Sequence, residues 1–136
     1  MRLVFADTLY WIAVTKPADQ YATRAKMAKA AVDDALVVTS DEVLTEFLNA
    51  LSSSGPGVRS AGASIVGALM RDVNTRVIPQ SRDMFLKALE LFGDRLDKGY
   101  SLVDCSTMVI MRAEAIADIL TNDHHFAQKG FNVLIK

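Results

Sequence analysis

The sequence has one cysteine, Cys105, and two histidines among its 136 residues. A lone thiol closes no disulfide within the chain, which favours a reducing compartment and hence the cytoplasm. No apolar run approaches the roughly 20 residues that cross a bilayer. Asp7 follows the first apolar run too early for a signal peptide, so the expectation is a soluble protein that begins at Met1. A glycine-rich phosphate loop is missing as well, since Gly55-Pro56-Gly57 reads only as a turn. Basic charge is in no excess: 15 Lys and Arg stand against 16 Asp and Glu, for a net charge of −1. That argues against holding nucleic acid by bulk electrostatics. It leaves room for an enzyme that grips a phosphodiester through a metal ion and a local basic patch.

What is present is globular in character. Hydrophobic residues make up 51% and charged residues 23%, enough apolar material for a core without staples. With no repeat, low-complexity tract or linker, residues 1–136 read as a single domain. Short apolar runs alternate with helical patterns. Strands are expected at 3–6, 35–39, 76–78, 116–120 and 131–135, the last at an edge of the sheet. Helices are expected at 9–14, from Pro17 to about residue 33, from 39 to about 52, from 59 to 73, and after Ser81 and Ser101 as caps. Thr39 and Glu42 have the spacing of a capping box. The pattern is an α/β fold with a parallel sheet of about five strands flanked by helices. In such sheets, sites form at the carboxyl ends of the strands.

Acids stand at those ends. Asp7 directly follows the first strand, and Asp123 follows the fourth after Thr121-Asn122. Either alone is more often a helix cap or turn former than a ligand. Asp104 lies in the first turn of a helix that is otherwise almost uncharged, and Glu46 lies within Val43-Leu44-Thr45-Glu46-Phe47-Leu48. A carboxylate in apolar surroundings is costly unless paired or metal-bound. Capping accounts for Glu42 but not for Glu46. Four converging carboxylates would repel one another and raise their pKa values. A hard divalent cation relieves that repulsion and suits phosphodiester hydrolysis.

Four segments carry a resemblance: Phe5-Ala6-Asp7-Thr8, Val43-Leu44-Thr45-Glu46, Lys98-Gly99-Tyr100-Ser101-Leu102-Val103-Asp104-Cys105 and Leu120-Thr121-Asn122-Asp123-His124-His125-Phe126. In order and spacing they resemble the motifs of PIN domains, and most closely the VapC-type toxins of bacterial toxin–antitoxin pairs. The Ser-Leu-x-Asp-Cys block and the Thr-x-Asp-x-His-Phe block are the specific ones. The resemblance implies a PIN-like (Rossmann-like) sheet, with Asp7, Glu46, Asp104 and Asp123 as both the catalytic and the metal-binding acids. Thr8 matches a polar position beside the first acid. The implied activity is that of a Mg²⁺- or Mn²⁺-dependent endoribonuclease. The implied partners are RNA, a second copy of the chain, and a small antitoxin whose tail occupies the active-site groove. Glu42 departs from the family pattern, as a cap or an extra acid at the rim, and puts the number of metal ions in question.

Other residues have plainer readings. His124 and His125 do not suggest zinc, because adjacent side chains rarely face one ion; they read as loop or substrate-side residues. Phe126 reads as core, and Trp11 as core or dimer surface. Cys105, beside an acid, reads as packing rather than as a nucleophile. Arg95, Lys98 and Lys129 are candidates for phosphate contacts. A phosphohydrolase of the haloacid dehalogenase type would need a second acid two residues after Asp7, where Leu9 stands. A receiver domain would need a mid-chain aspartate at a strand end, and none is there. A PIN-fold RNA- or protein-binding module without turnover is the remaining alternative. Loss of an acid would signal it, and none is lost.

Overall fold

The computed structural model of the chain describes residues 1–136 and consists of five strands and seven helices. In chain order they are β1 (Leu3–Ala6), α1 (Thr8–Thr15), α2 (Ala22–Ala31), β2 (Leu36–Ser40), α3 (Asp41–Leu51), α4 (Pro56–Arg71), β3 (Thr75–Ile78), α5 (Arg82–Asp94), α6 (Leu102–Ala113), β4 (Asp118–Leu120), α7 (His124–Gln128) and β5 (Asn132–Val133). All five strands run parallel in one sheet ordered β3-β2-β1-β4-β5. The uninterrupted apolar runs of β1 and β2 follow from this. A parallel strand is covered on both faces, and Val4, Phe5, Ala6, Val38, Ile119 and Leu120 are wholly buried. Phe5, Phe47 and Phe126 are the bulkiest of the fully buried side chains. The single cysteine is buried too, and burial pushes its thiol pKa up, as does neighbouring Asp104. That agrees with packing rather than nucleophilic chemistry.

The strand order matters most where it reverses. From β1 the sheet builds through β2 to β3 on one side, and through β4 to β5 on the other. The carboxyl ends of β1 and β4 therefore flank the switch point, where loops diverge and leave a crevice. Pairing of Ala6 with Leu120 puts Asp7 and Thr121 side by side just beyond the sheet. The core also pins α1 against this edge. The Trp11 indole N–H donates to Thr39 Oγ1 at 3.2 Å, and that hydroxyl donates to the Ala6 carbonyl at 3.0 Å.

Some boundaries differ from expectation for local reasons. Helix α2 begins at Ala22 and not at Pro17. Asp19 accepts the Tyr21 N–H at 2.8 Å, holding the preceding residues as a turn. The cap of α3 is Ser40, whose Oγ accepts the Val43 N–H at 3.1 Å, and not Thr39, whose hydroxyl is engaged with Trp11 and Ala6. Glu42 is then no capping partner. His124 and His125, read as loop residues, open the short helix α7. Ser81 and Ser101 cap α5 and α6 as expected.

The turn that launches β4 carries the one non-glycine residue with positive φ, Ala115 at 55°. It closes α6 in a Schellman arrangement: the Ile116 N–H reaches the Met111 carbonyl at 2.8 Å, and the Ala115 N–H reaches that of Arg112 at 3.3 Å. An L side chain in this region is strained and glycine is not. Ala115→Gly is expected to stabilise the protein by roughly 0.5–1 kcal/mol in a denaturant titration. A loss of stability would contradict this account of the turn.

Candidate active site

A cleft of about 470 Å³ opens at the switch point. Asp7, Glu46, Asp104 and Asp123 all line it, together with Asp19, Thr8, Tyr21, Ser101 and Thr121 among others, and no lysine or arginine does. The four sequence-predicted acids thus come from four different elements. Asp7 is at the end of β1, Glu46 in the second turn of α3, Asp104 in the first turn of α6 and Asp123 in front of α7.

Three of the four carboxylates are held by a local device. Asp7 is 6% exposed, and its Oδ2 accepts the Thr121 hydroxyl at 2.9 Å. Thr121 Oγ1 in turn accepts the Asp123 N–H at 3.2 Å, so one threonine ties the two strand-end acids together. Asp104 closes a capping box: its Oδ2 accepts the Ser101 N–H and its own N–H donates to Ser101 Oγ, both at 3.0 Å. Asp123 Oδ1 accepts the His125 N–H at 2.9 Å and caps α7. The far wall is tied by Tyr21, whose hydroxyl donates to Asn122 Oδ1 at 3.1 Å while the Asn122 amide donates to the Ile135 carbonyl at 2.7 Å.

The electrostatics follow from burial and like charge. Burial lifts the Asp7 carboxyl from its usual 3.8 to about 7, opposed by hydrogen bonds from Thr8 and Thr121 and augmented by Asp104 and Glu46. Asp104 is raised as well, first by burial and then by Asp123 and Glu46, with Ser101 opposing. Two raised carboxyls, with neighbouring acids adding to the effect of burial, are compatible with a site that takes a cation. Thr8 is 92% buried, yet its Oγ1 has no partner. A buried hydroxyl without a partner beside four carboxylates fits an oxygen-rich cradle for a hard divalent ion. The residues present therefore fit a metal.

Glu42 takes no part in this cleft. It lines a separate hollow of about 690 Å³ with Arg82, Phe85 and Ser106. Burial raises its pKa, and its Oε1 has no partner. Arg95, considered for phosphate binding, is engaged by Asp97 at 3.2 Å, whereas Lys98 and Lys129 form no ion pair.

No family model matches the chain. Among curated proteins it is 29% identical over 129 residues, 95% of each chain, to the 23S rRNA-specific endonuclease VapC20 of Mycobacterium tuberculosis. The crystal structure of VapC20, a Sarcin-Ricin loop cleaving toxin, superposes with a TM-score of 0.85 at 27% identity, covering 98% of this chain and 99% of that one. Over nearly its whole length the chain is thus similar to a VapC-type endonuclease toxin in both sequence and fold. FitAcB from Neisseria gonorrhoeae shares the fold alone, with a TM-score of 0.64 at 13% identity and 96% coverage of each chain.

Within that VapC-type frame, the structure adds residues that sequence reasoning left aside. Thr121, quoted as part of a motif but given no role, bridges two acids. His125, read as a loop residue, has its Nδ1 3.2 Å from Asp123 Oδ1. Its ligand atom lies within 4.8 Å of those of both Asp104 and Asp123. The argument against two adjacent histidines facing one ion holds, since His124 is exposed. It does not remove both. An Asp cap bonds the backbone two residues on, and here that residue is His125; the Asp-x-His spacing was the available signal.

Proposed function

We propose that the chain is a divalent-metal-dependent endoribonuclease, with Asp7, Glu46, Asp104 and Asp123 holding Mg²⁺ or Mn²⁺, and that residues 1–136 are one nuclease domain serving as the toxin of a toxin–antitoxin pair. One observation carries the reading: four acids from four elements converge on one cleft that contains no basic side chain. A divalent cation held by these four acids would supply Lewis-acid activation of water and would offset charge on the phosphate oxygens. The chain's own residues supply the rest. Thr121 and the Ser101–Asp104 capping box fix carboxylate directions before substrate arrives, so little reorganisation is needed. Lys98 and Lys129, free of ion pairs, are the cations available to phosphates flanking the cleft.

The relative VapC20 acts on 23S rRNA, so that RNA is the first substrate to offer. A second copy and a small antitoxin are the expected partners. The exposed apolar row Phe85, Leu89, Phe92 and Leu96 along and just beyond α5 supports the former. A cytoplasmic setting goes with the toxin reading; no helix is long and apolar enough to cross a membrane.

Cleavage is expected with Mg²⁺ or Mn²⁺ and should stop on adding EDTA. The products should carry 3′-hydroxyl and 5′-phosphate ends, because water attacks phosphorus in place of the neighbouring ribose hydroxyl. End-labelled RNA run beside alkaline and nuclease ladders reads both points. Products ending in 2′,3′-cyclic phosphate would sink this chemistry, and intact RNA with either cation would favour the binding module without turnover.

A further inference from the structure

The four acids do not share the cleft evenly. Ligand atoms of Asp104, Asp123 and His125 gather within 4.8 Å of one another, and those of Asp7 and Glu46 are not in that group. His125 is also the one nitrogen donor among these groups. Its ring is positioned from outside the acid cluster. Tyr100, which is buried, meets it edge-on with centroids 5.2 Å apart and planes at 83°. Gly99 runs alongside, where an added Cβ would come within 3.5 Å of the ring.

We propose that His125, with Asp104 and Asp123, forms a mixed nitrogen–oxygen cation position that favours transition divalents such as Mn²⁺ and Co²⁺ over Mg²⁺. This rests on the nuclease reading above and refines which cation that cleft selects. The spacing fits. Two neighbouring ligands on one ion, at right angles and about 2.1 Å from it, stand about 3 Å apart. The 3.2 Å between His125 Nδ1 and Asp123 Oδ1 matches that ligand edge as well as a hydrogen bond. The Thr8 hydroxyl, nine-tenths buried and without a partner, lines the cleft with Asp104 and Asp123, and is a further donor, independent of the carboxylates, that a cation there would engage. The selectivity follows from donor chemistry. Mg²⁺ takes oxygen ligands and keeps its waters, so an imidazole adds little to its binding. Affinity for nitrogen donors rises along the first transition series from Mn²⁺ to Co²⁺.

Calorimetric titration of the whole chain with MnCl₂, CoCl₂ and MgCl₂, for the parent, His125→Gln and His125→Ala, tests this. The parent should bind Co²⁺ most tightly and Mg²⁺ most weakly. Both variants should lose at least tenfold in Co²⁺ affinity and several-fold in Mn²⁺ affinity, with Mg²⁺ affinity changed less than twofold. The visible Co²⁺ absorption bands should shift between parent and variants as a nitrogen ligand is lost. Unaltered Mg²⁺ binding in the same variants shows that the fold and the acids are intact. An equal fall for all three ions would make His125 only an orienting partner of Asp123 and overturn the proposal, as would unchanged affinities. If the parent bound none of the three cations, the metal-nuclease reading itself would fail, an outcome distinct from histidine-independent binding.

Discussion

Asp104→Asn should lower RNA cleavage by roughly 10²–10³-fold, on the scale of losing a group that offsets transition-state charge, because it weakens the hold on the cation that would do so, while the metal-free protein melts no lower than its parent. The two halves of this expectation arise from different roles of one side chain. Burial raises the Asp104 pKa, and the like charges of Asp123 and Glu46 raise it further. Asparagine removes that repulsion. Its amide oxygen can still accept the Ser101 N–H that Asp104 Oδ2 now takes at 3.0 Å, so the capping box survives. Asp104→Ala cannot accept it, and should cost about 0.5–2 kcal/mol, the range for a lost helix cap. Divalent ions should raise the parent's melting temperature by mass action, by about 2.7 kcal/mol of stabilisation at a hundredfold excess over Kd, and raise that of Asp104→Asn less. Scanning calorimetry with EDTA and with cation measures all of this on three proteins. An Asn variant that melts as low as the Ala variant, with cation making no difference to any of them, would reduce Asp104 to a structural acid.

The second large effect concerns pH. In EDTA, the parent should lose stability relative to Asp7→Asn as pH rises from about 4 to about 7. Burial is the main reason the Asp7 pKa stands at about 7 against an ordinary 3.8. Between these two values the folded protein holds a proton that the unfolded chain has released. Stability therefore falls with rising pH, and the contribution present below the unfolded pKa is gone above the folded one. The shift corresponds to a ceiling of about 4 kcal/mol. The lowered pKa values of Asp72, Asp97 and Asp118 act in the opposite direction, which is why the comparison is with Asp7→Asn and not with the parent alone. The two proteins should be nearly matched at pH 4, with the variant pulling ahead by pH 8. Saturating divalent cation should abolish most of the gap, because it takes the place of the proton. Urea titrations at four pH values, with and without cation, are sufficient. A gap that does not change with pH would show that Asp7 ionises normally, and would remove the raised carboxyl from this account of the site.

Much of the fold was legible along the chain. Apolar runs bounded by turns marked all five strands to within a few residues, because a strand covered on both faces admits few polar side chains. Serines at 81 and 101 marked helix starts, since they satisfy free backbone N–H groups locally. Asp7 and Asp123 were visible as strand-end acids, and Asp104 and Glu46 as acids in apolar helices. Their roles as a set came from the resemblance to PIN domains. Sequence alone misjudged three local choices, the loop reading of His124 and His125 in α7 among them. At Thr39 and Ser40 two hydroxyls stand side by side, and which one caps α3 depends on where Trp11 packs. At Pro17 the helix signal lost to the Asp19 turn.

The sequence by itself determined the element types, the apolar core and the identity of the four acids, because each depends on interactions within a few residues or on burial averaged over a strand. Only the tertiary structure decided which groups meet. The reversal of strand order between β1 and β4 puts Asp7 beside Thr121. The packing of α3 and α6 brings Glu46 and Asp104 to the same cleft and leaves Glu42 in another hollow. The short helix α7 turns His125, and not His124, toward the acids. These juxtapositions join residues up to 114 positions apart, and no local pattern encodes a distance that the sheet register sets.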